Sequence, residues 1–583
     1  MKRASGKRWV MRPRDERAAG ELTRALEVSP VIAEVLAARG ITDVEESRRL
    51  LHPSLDQLHD PLLMRGMKEA VARVLRAVEN DEPILIYGDY DVDGTTGTVV
   101  LRRVLQLIGA HRTGYFIPHR FTDGYGIHQA ALEKAREEGY KLIISVDCGI
   151  RAYEPLVWAQ SVGLDCIVTD HHLADGERGA PPAYAVINPN QPLCPYPDKN
   201  LAGVGVAFKL AQALLRERGL EDLAKGFLKV VAIGTVADVA PLTGENRTIV
   251  ALGLADLPGA TNLGLRALLN VAGCCDEAGR AKTMLASDLG FRLGPRINAA
   301  GRMDAARAVV ELFEAETPAE AERLATHLDS RNRERQAMQR EITERAILEL
   351  DSLDTAHSHV AVVCGDKWHR GVIGLAASKI SERTNRPAVV ISCDGDFGHG
   401  SARSIETYHL LDGLTACADL FEQFGGHAHA AGLLIKREHI PELRRRLNEH
   451  AAAKMTDADL IPVIHVDAAL TPEMITLRLA EDLRALEPFG ANWRRPVFTT
   501  GDLIVAAPPR VLKERHLKFY LQDEYRRFNF EAVWWGGAEA DGRTPSVGER
   551  IELAYALELN TWRDETRLQL VVEDLRRAGV GAD

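Results

Sequence analysis

The sequence predicts an α/β protein whose first large domain is a doubly wound parallel sheet. Three observations lead there. Short apolar runs rich in β-branched residues, at 84–87, 115–117, 141–146 and 166–169, alternate with helix-period segments at 95–107, 129–138 and 153–161. Three of those runs end on acids, Asp89, Asp147 and Asp170, and doubly wound sheets gather ligands at the carboxyl ends of their strands. With 46% apolar and 27% charged residues over 583 positions, the chain has an ordinary globular composition, long enough for roughly three to five domains of ~150 residues.

The N-terminus, Met1-Lys2-Arg3-Ala4-Ser5-Gly6-Lys7-Arg8, is basic, but no apolar stretch of signal-peptide length follows it. No run approaches the roughly 20 apolar residues of a membrane helix, so a cytoplasmic protein with no membrane partner is expected. Residues 1 to about 80 read as helical, with helix-like periods over 21–39 and 41–51. Beyond the first sheet, 201–216 and 223–239 read as helices, although Val230-Val231-Ala232-Ile233 is equally compatible with a strand. One long helix is predicted over 317–352, opened by the start signal Thr317-Pro318-Ala319-Glu320. From about 356 to 450 strands and helices alternate again, with strands at 359–363 and 388–391 around a helix at 372–381. From about 462 only short strands recur, at 496–498, 504–506, 517–521, 530–533, 550–555 and 568–572. That spacing predicts a small closed barrel of the OB type.

A net charge of −11 argues against a protein that coats nucleic acid by bulk attraction, while leaving room for a local basic channel. None of the eight cysteines forms a C-x-x-C pair, and Cys274 and Cys275 are adjacent. They read as reduced thiols.

The densest chemistry lies in Gly88-Asp89-Tyr90-Asp91-Val92-Asp93-Gly94. A calcium-binding EF-hand loop begins this way but needs a bidentate Glu at its twelfth position, here Val100, and follows a helix rather than a strand. Three carboxylates within five residues repel one another unless cations neutralise them. Asp170-His171-His172 adds oxygen and imidazole donors suited to Mg²⁺ or Mn²⁺. Alone that triplet is a weak signal; beside Asp89, Asp91, Asp93 and Asp147 at neighbouring strand ends it becomes strong. Asp238, in Gly234-Thr235-Val236-Ala237-Asp238-Val239-Ala240, is a further acid in apolar surroundings that needs a partner.

These motifs together resemble the DHH phosphoesterase family, and within it the single-strand-specific 5′-to-3′ DNA exonucleases. The resemblance rests on Tyr87 to Gly94, Ser145-Val146-Asp147-Cys148-Gly149, Thr169-Asp170-His171-His172 and Gly234 to Asp238. Downstream it continues in Gly294-Pro295-Arg296-Ile297-Asn298-Ala299-Ala300-Gly301-Arg302, Gly400-Ser401-Ala402-Arg403-Ser404 and Gly425-Gly426-His427. One position departs from the wider superfamily: Tyr87 stands where family II pyrophosphatases carry a histidine. The resemblance implies an N-terminal helical segment (1–75), a DHH catalytic domain (76–270), a linker region with the long helix (271–355), a DHHA1-type substrate-binding domain (356–455) and an OB-like domain (462–577). It implies two divalent ions, Mn²⁺ or Mg²⁺. Asp91 and Asp147, with Asp89 as a candidate, would hold one; Asp93, Asp147, His171 and Asp238 would hold the other, and His172 would contact the scissile phosphate. Single-stranded DNA is the implied substrate, degraded to 5′-mononucleotides in repair and recombination. A single-strand-binding protein and a RecQ-type helicase are partners implied by the resemblance alone.

Phosphate needs cations as well. Arg296 is a surface arginine by composition, and its motif and the resemblance make it a candidate to neutralise charge developing on the phosphate. Ser401 and Arg403, in a small-residue turn, suit a terminal phosphate. Arg120, in Pro118-His119-Arg120, reads equally as a phosphate contact and as a flanking surface charge, and His427 resembles the family's substrate-side Gly-Gly-His. Arg331, Arg333, Arg335 and Arg340 on the long helix fit a solvated mixed-charge face or a nucleic-acid groove. Arg510, Lys513, Arg515, His516 and Lys518 beside Phe519 and Tyr520 fit an OB-type stacking surface. Two rival readings are a phosphodiesterase for short oligonucleotides or cyclic dinucleotides, and a non-catalytic replication scaffold. The basic helix and barrel oppose the first, and the intact acids and histidines oppose the second.

Overall fold

The computed structural model describes residues 6–120, 122–302, 306–353, 358–539, 543–562 and 565–577. The chain forms two compact units, one of Arg49–Glu334 with Leu486–Arg494, the other of Met1–Arg48, Arg335–Ala485 and Arg495–Asp583.

The first unit is built on five parallel strands: β1 (Ile84–Gly88), β2 (Thr113–Phe116), β3 (Leu142–Val146), β4 (Asp165–Thr169) and β5 (Ala185–Ile187). Their spatial order is β2-β1-β3-β4-β5, so the winding reverses between β1 and β3, where such sheets bind ligands. β1 and β3 are buried along their whole length, as a sheet covered on both faces requires. On one face Leu85, Tyr87, Ile143 and Val168 pack against Leu132, Ala135, Leu156 and Ala159 of the helices Gln129–Glu137 and Tyr153–Ser161. On the other run α1 (Val92–Leu107), α2 (Gly203–Glu217) and α3 (Leu228–Ala237). The sheet is therefore doubly wound, as the sequence predicts. The ambiguous run Val230 to Ile233 is helical, and the three-residue edge strand Ala185–Ile187 adds to the predicted set.

The predicted long helix is present as a single helix, Pro318–Ser352, divided between the two units at residue 334. The expected domain boundary at 355–356 falls outside the described residues.

The second unit holds a mixed sheet and a ring of strands. Strands β6 (Ala361–Asp366), β7 (Ala388–Asp394), β8 (Phe397–Arg403), β9 (Phe421–Gly426) and β10 (Ala430–Lys436) lie in the order β9-β10-β8-β7-β6. Only β6 and β7 are parallel. The helix Arg370–Thr384 covers one face through Val372, Ala376 and Ile380, and the helix Ile440–Lys454 covers the other through Leu443 and Leu447. In the C-terminal part, β11 (Phe498–Val505), β12 (His516–Gln522), β13 (Asn529–Trp534), β14 (Arg550–Trp562) and β15 (Glu565–Arg577) close through the pairings β11–β14, β14–β15, β15–β13, β13–β12 and β12–β11. Phe498, Phe519, Leu553, Tyr555 and Leu570 are buried there. The two strands expected at 496–498 and 504–506 are one strand, irregular between Thr500 and Leu503.

The N-terminal expectation needs two corrections. The period over 21–39 is two helices, Glu16–Leu26 and Pro30–Ala38, because Ser29 caps a new helix whose first residue is proline. The segment is also not purely helical: Arg8–Met11 is a strand paired in parallel with Val463–Val466, and Trp9 donates its indole N–H to Asp574 (2.9 Å). Among the described residues no single helix is long and apolar enough to cross a membrane; one pair, Gly244–Gly259 with Leu263–Val271, meets the length and composition test but is bent by 91°. All eight cysteines are free thiols, six of them buried.

Candidate metal centre

The site grows from the carboxyl ends of β1, β3 and β4. Asp91 caps the N-terminus of α1 by accepting the Gly94 N–H (3.0 Å), which turns the chain sharply and places Asp89 and Asp93 on either side of it. The Asp93 carboxylate accepts the backbone N–H groups of Gly203 (2.6 Å) and Val204 (2.7 Å) at the start of α2, where the helix dipole favours an anion. Gly203 is obligatory here, because a β-carbon would lie 2.5 Å from Asp147 Oδ1. Asp147 follows β3 with φ at 62°, in the left-handed region, and is 2% exposed.

The acids crowd into three donor groups, each with its ligand atoms within 4.8 Å: Asp89, Asp91 and Asp147; Asp93, His171 and Asp238; and Asp147, His171 and His172. Asp147 Oδ1 lies 3.2 Å from His171 Nε2, so it stands where the first two groups adjoin. The electrostatics of the bare protein are unfavourable. Burial first, then the neighbouring Asp91, pushes the Asp93 carboxyl up to about 7. Burial and the charges of Asp93 and Asp91 push Asp238 up to about 9. Asp89 and Asp147 are driven well above the usual carboxylate range by the same causes. Asp89 Oδ1, Asp147 Oδ1 and His171 Nε2 are buried with no hydrogen-bond partner. Orphaned acceptors converging in a dry site are what divalent cations satisfy, so the donor set fits them.

His171 suits this role. Burial, then the charge of His172, lowers its pKa to about 4, against a hydrogen bond that the ring donates to the Leu201 backbone; the imidazole is neutral, as a ligand must be. Tyr87, at the position where superfamily relatives carry a histidine, is a core residue with its hydroxyl on the Gly126 carbonyl (3.0 Å). Asp89, not residue 87, completes the first donor group.

Asp170 behaves differently from the other acids. It accepts from the N–H groups of Ile150 (2.9 Å), His171 (2.7 Å) and His172 (3.0 Å), and its Oδ1 lies 2.8 Å from His172 Nδ1. Burial acts to raise its pKa, but these bonds outweigh it and the net direction is down. Asp170 thus orients His172; the sequence shows the acid but not this task.

The cations divide. Arg120 stacks over the Tyr90 ring (4.9 Å) and its charge acts to lower Asp89. Arg296, in the helix α4 (Gly294–Arg302), commits its guanidinium to Asp329 (2.9 and 3.0 Å) and to the carbonyls of Arg292 (2.7 Å) and Val271 (3.3 Å). The arginine of α4 beside the acidic loop is Arg302. Burial and the Asp89 charge push the Tyr90 hydroxyl up to about 12, and Arg120 and Arg302 act against that rise. Gly301 lies so close that a β-carbon would stand 2.1 Å from the Tyr90 carbonyl. The engagement of Arg296 is hidden in the sequence, because its partner Asp329 lies 33 residues on.

Ser401, Arg403 and His427 belong to the other unit. Arg403 Nη1 donates to the Ala402 carbonyl (2.8 Å) and lies 3.5 Å from Ser401 Oγ. A β-carbon on Gly374 would sit 2.9 Å from Ser401 Oγ and 3.3 Å from Arg403 Nη2, so the helix Arg370–Thr384 backs this pair closely. His427 is exposed in the β9–β10 turn. In the strand ring Phe519 is core, whereas Tyr520, Tyr525 and Trp535 are exposed, with Lys518 over Tyr520 (6.0 Å) and Arg527 over Tyr525 (5.1 Å).

The parallel sheet with its carboxylate–histidine centre and the mixed sheet after the long helix define a protein of the DHH class. The chain matches the DHH family N-terminal domain over residues 83–235, the DHHA1 domain over 357–453 and the RecJ OB domain over 466–574. It is 38% identical to the single-stranded-DNA-specific exonuclease RecJ of Bacillus subtilis, over 98% of this chain and 71% of that one. It is 33% identical to that of Escherichia coli, over 94% and 96%. The crystal structure of RecJ in complex with Mn²⁺ from Thermus thermophilus superposes with a TM-score of 0.82 at 29% identity, covering 98% of this chain and 79% of that one. The chain belongs to the RecJ family.

Proposed function

We propose that this protein is a single-stranded-DNA-specific exonuclease that hydrolyses phosphodiester bonds with two divalent cations, Mn²⁺ or Mg²⁺, and works from the 5′ end. The observation that carries the reading is the convergence of three buried ligand atoms without a hydrogen-bond partner, on Asp89, Asp147 and His171, in a chain whose relatives are RecJ exonucleases.

Asp89, Asp91 and Asp147 would hold one ion and Asp93, His171 and Asp238 the other, with Asp147 shared. Such a pair supplies, when bound, Lewis-acid stabilisation of phosphoryl charge and a lowered pKa for water. The chain's own residues do the rest. Asp170 fixes the His172 ring through Nδ1, leaving Nε2 for the scissile phosphate. Burial alone would lower the His172 pKa, but the Asp170 bond outweighs it and the net direction is up, so the ring is inclined to donate. Arg120 and Arg302 balance the phosphate's charge beside the acidic loop; Arg296 supports α4 through Asp329. Ser401, Arg403 and His427 are assigned the 5′-terminal phosphate, and the strand ring, with exposed Tyr520, Tyr525 and Trp535, the incoming strand. The domain limits 76–270, 356–455 and 462–577 follow the same division of labour, and a cytoplasmic setting with a single-strand-binding protein and a RecQ-type helicase suits it.

The test is polarity. A single-stranded 40-mer labelled at one end or the other is digested with Mn²⁺. Release of the 5′ label as mononucleotide before the 3′ label is expected; release of the 3′ label first, or equal attack on a matched duplex, would refute the reading.

A further inference from the structure

We infer that Tyr125 is a positioning residue whose hydroxyl ties the backbone of Asp147 to the ring of His172. The inference rests on the reading of Asp147 as a metal ligand and His172 as a phosphate contact. The Tyr125 hydroxyl donates to the Asp147 carbonyl (3.1 Å) and lies 3.1 Å from His172 Nδ1. Its ring meets the His172 ring edge to face, with centroids 5.6 Å apart.

Both contacts bear on groups that need holding. Asp147 sits at φ 62°, in the left-handed region that residues with a β-carbon seldom adopt and that Asp tolerates better than most. Its N–H is fixed on the Thr169 carbonyl (2.9 Å), and Tyr125 fixes its carbonyl. With both sides of the residue held, the carboxylate is aimed inward, where Oδ1 has no hydrogen-bond partner. On the other side the hydroxyl selects a tautomer. One phenol hydrogen cannot serve both the Asp147 carbonyl and a lone pair on His172 Nδ1. When it goes to the carbonyl, the phenol oxygen is an acceptor, and Nδ1 must carry the proton it shares between Tyr125 and Asp170 Oδ1, 2.8 Å away. Nε2 is then the ring nitrogen left for substrate. Asp170 and Tyr125 hold His172 from two directions, and the Tyr125 hydroxyl joins that ring to the Asp147 carbonyl. Tyr125 is 48% exposed, and its hydroxyl is the informative part.

Partners of this kind, once removed, cost about 10- to 100-fold in metal affinity or activity. Tyr125→Phe and Tyr125→Leu are compared with the wild-type chain by calorimetric titration with Mn²⁺ alone and by steady-state digestion of a single-stranded 40-mer. Both variants are expected to keep the wild-type melting temperature, to bind Mn²⁺ about tenfold more weakly, and to lose about 10- to 100-fold in kcat with KM unchanged. Wild-type Mn²⁺ affinity and kcat in Tyr125→Phe would overturn the inference. So would a normal Phe variant beside a Leu variant with raised KM, which would assign the role to the ring face as a stacking surface. Asp147→Ala separates the two levels: if it loses Mn²⁺ and activity while Tyr125→Phe is normal, the positioning role alone fails; if it too is normal, the metal reading beneath it fails.

Discussion

The two α/β sheets of this chain make opposite kinds of polar site. In the parallel sheet the strand ends converge on acids whose burial, and then their mutual repulsion, holds their pKa values high. In the mixed sheet the corresponding chemistry is a hydroxyl and a guanidinium, Ser401 and Arg403, with Arg403 already hydrogen-bonded to its own strand. The first site gathers buried acids and is incomplete as protein; the second sets a hydroxyl beside a guanidinium.

The most severe way to break this contrast is Asp147→Ala, which removes the acid shared by the first two donor groups. Turnover with saturating Mn²⁺ should fall by roughly 10³-fold or more, read from initial rates on a 40-mer. Arg403→Ala probes the other site. Its KM for a 5′-phosphorylated strand should rise by about tenfold, and the preference over a 5′-hydroxyl strand should shrink. An unchanged preference would remove the terminal phosphate from that pocket.

The acidic site should also leave a mark on stability. Burial, with the neighbouring acids, pushes Asp93 up to about 7 and Asp238 up to about 9 in the folded protein, above the ~3.9 of an unfolded chain. An acid with a raised folded-state pKa favours folding below its unfolded value and loses that contribution as pH climbs through the folded one. The melting temperature of metal-free protein should therefore fall between about pH 4 and pH 9. Mn²⁺ should restore it at the upper end, and Asp238→Asn should flatten the metal-free curve. Differential scanning calorimetry across that range reads all three. The smallest effect belongs to the strand ring, where Arg510→Ala should lower the salt slope of single-strand binding by about 0.7, measured by anisotropy.

Much of the parallel sheet is legible in the sequence because its signals are local: apolar runs buried on both faces, and acids at the strand ends. What stays hidden depends on distant residues. The strand Arg8–Met11 exists because Val463–Val466 pairs with it. Arg296 is engaged because Asp329 reaches it from the long helix. Asp170 looks like Asp147 in the sequence, yet four donors satisfy Asp170 while an oxygen of Asp147 is left without a partner. That difference arises from the backbone turning its N–H groups toward one acid and not the other, and side-chain spacing does not encode it. Residue 87 lies outside the first donor group; the sequence shows this as a departure at Tyr87, and the buried phenol bonded to Gly126 gives it a physical reason.

The central claim is that these orphaned carboxylates and His171 form two cation sites. Calorimetric titration of the metal-free chain with Mn²⁺ addresses it directly. The account predicts two ions bound per chain, with protons released from the raised carboxyl groups as they bind, and the loss of at least one ion in Asp147→Ala. A chain that binds no Mn²⁺, or an Asp147→Ala variant that still binds two, would contradict it.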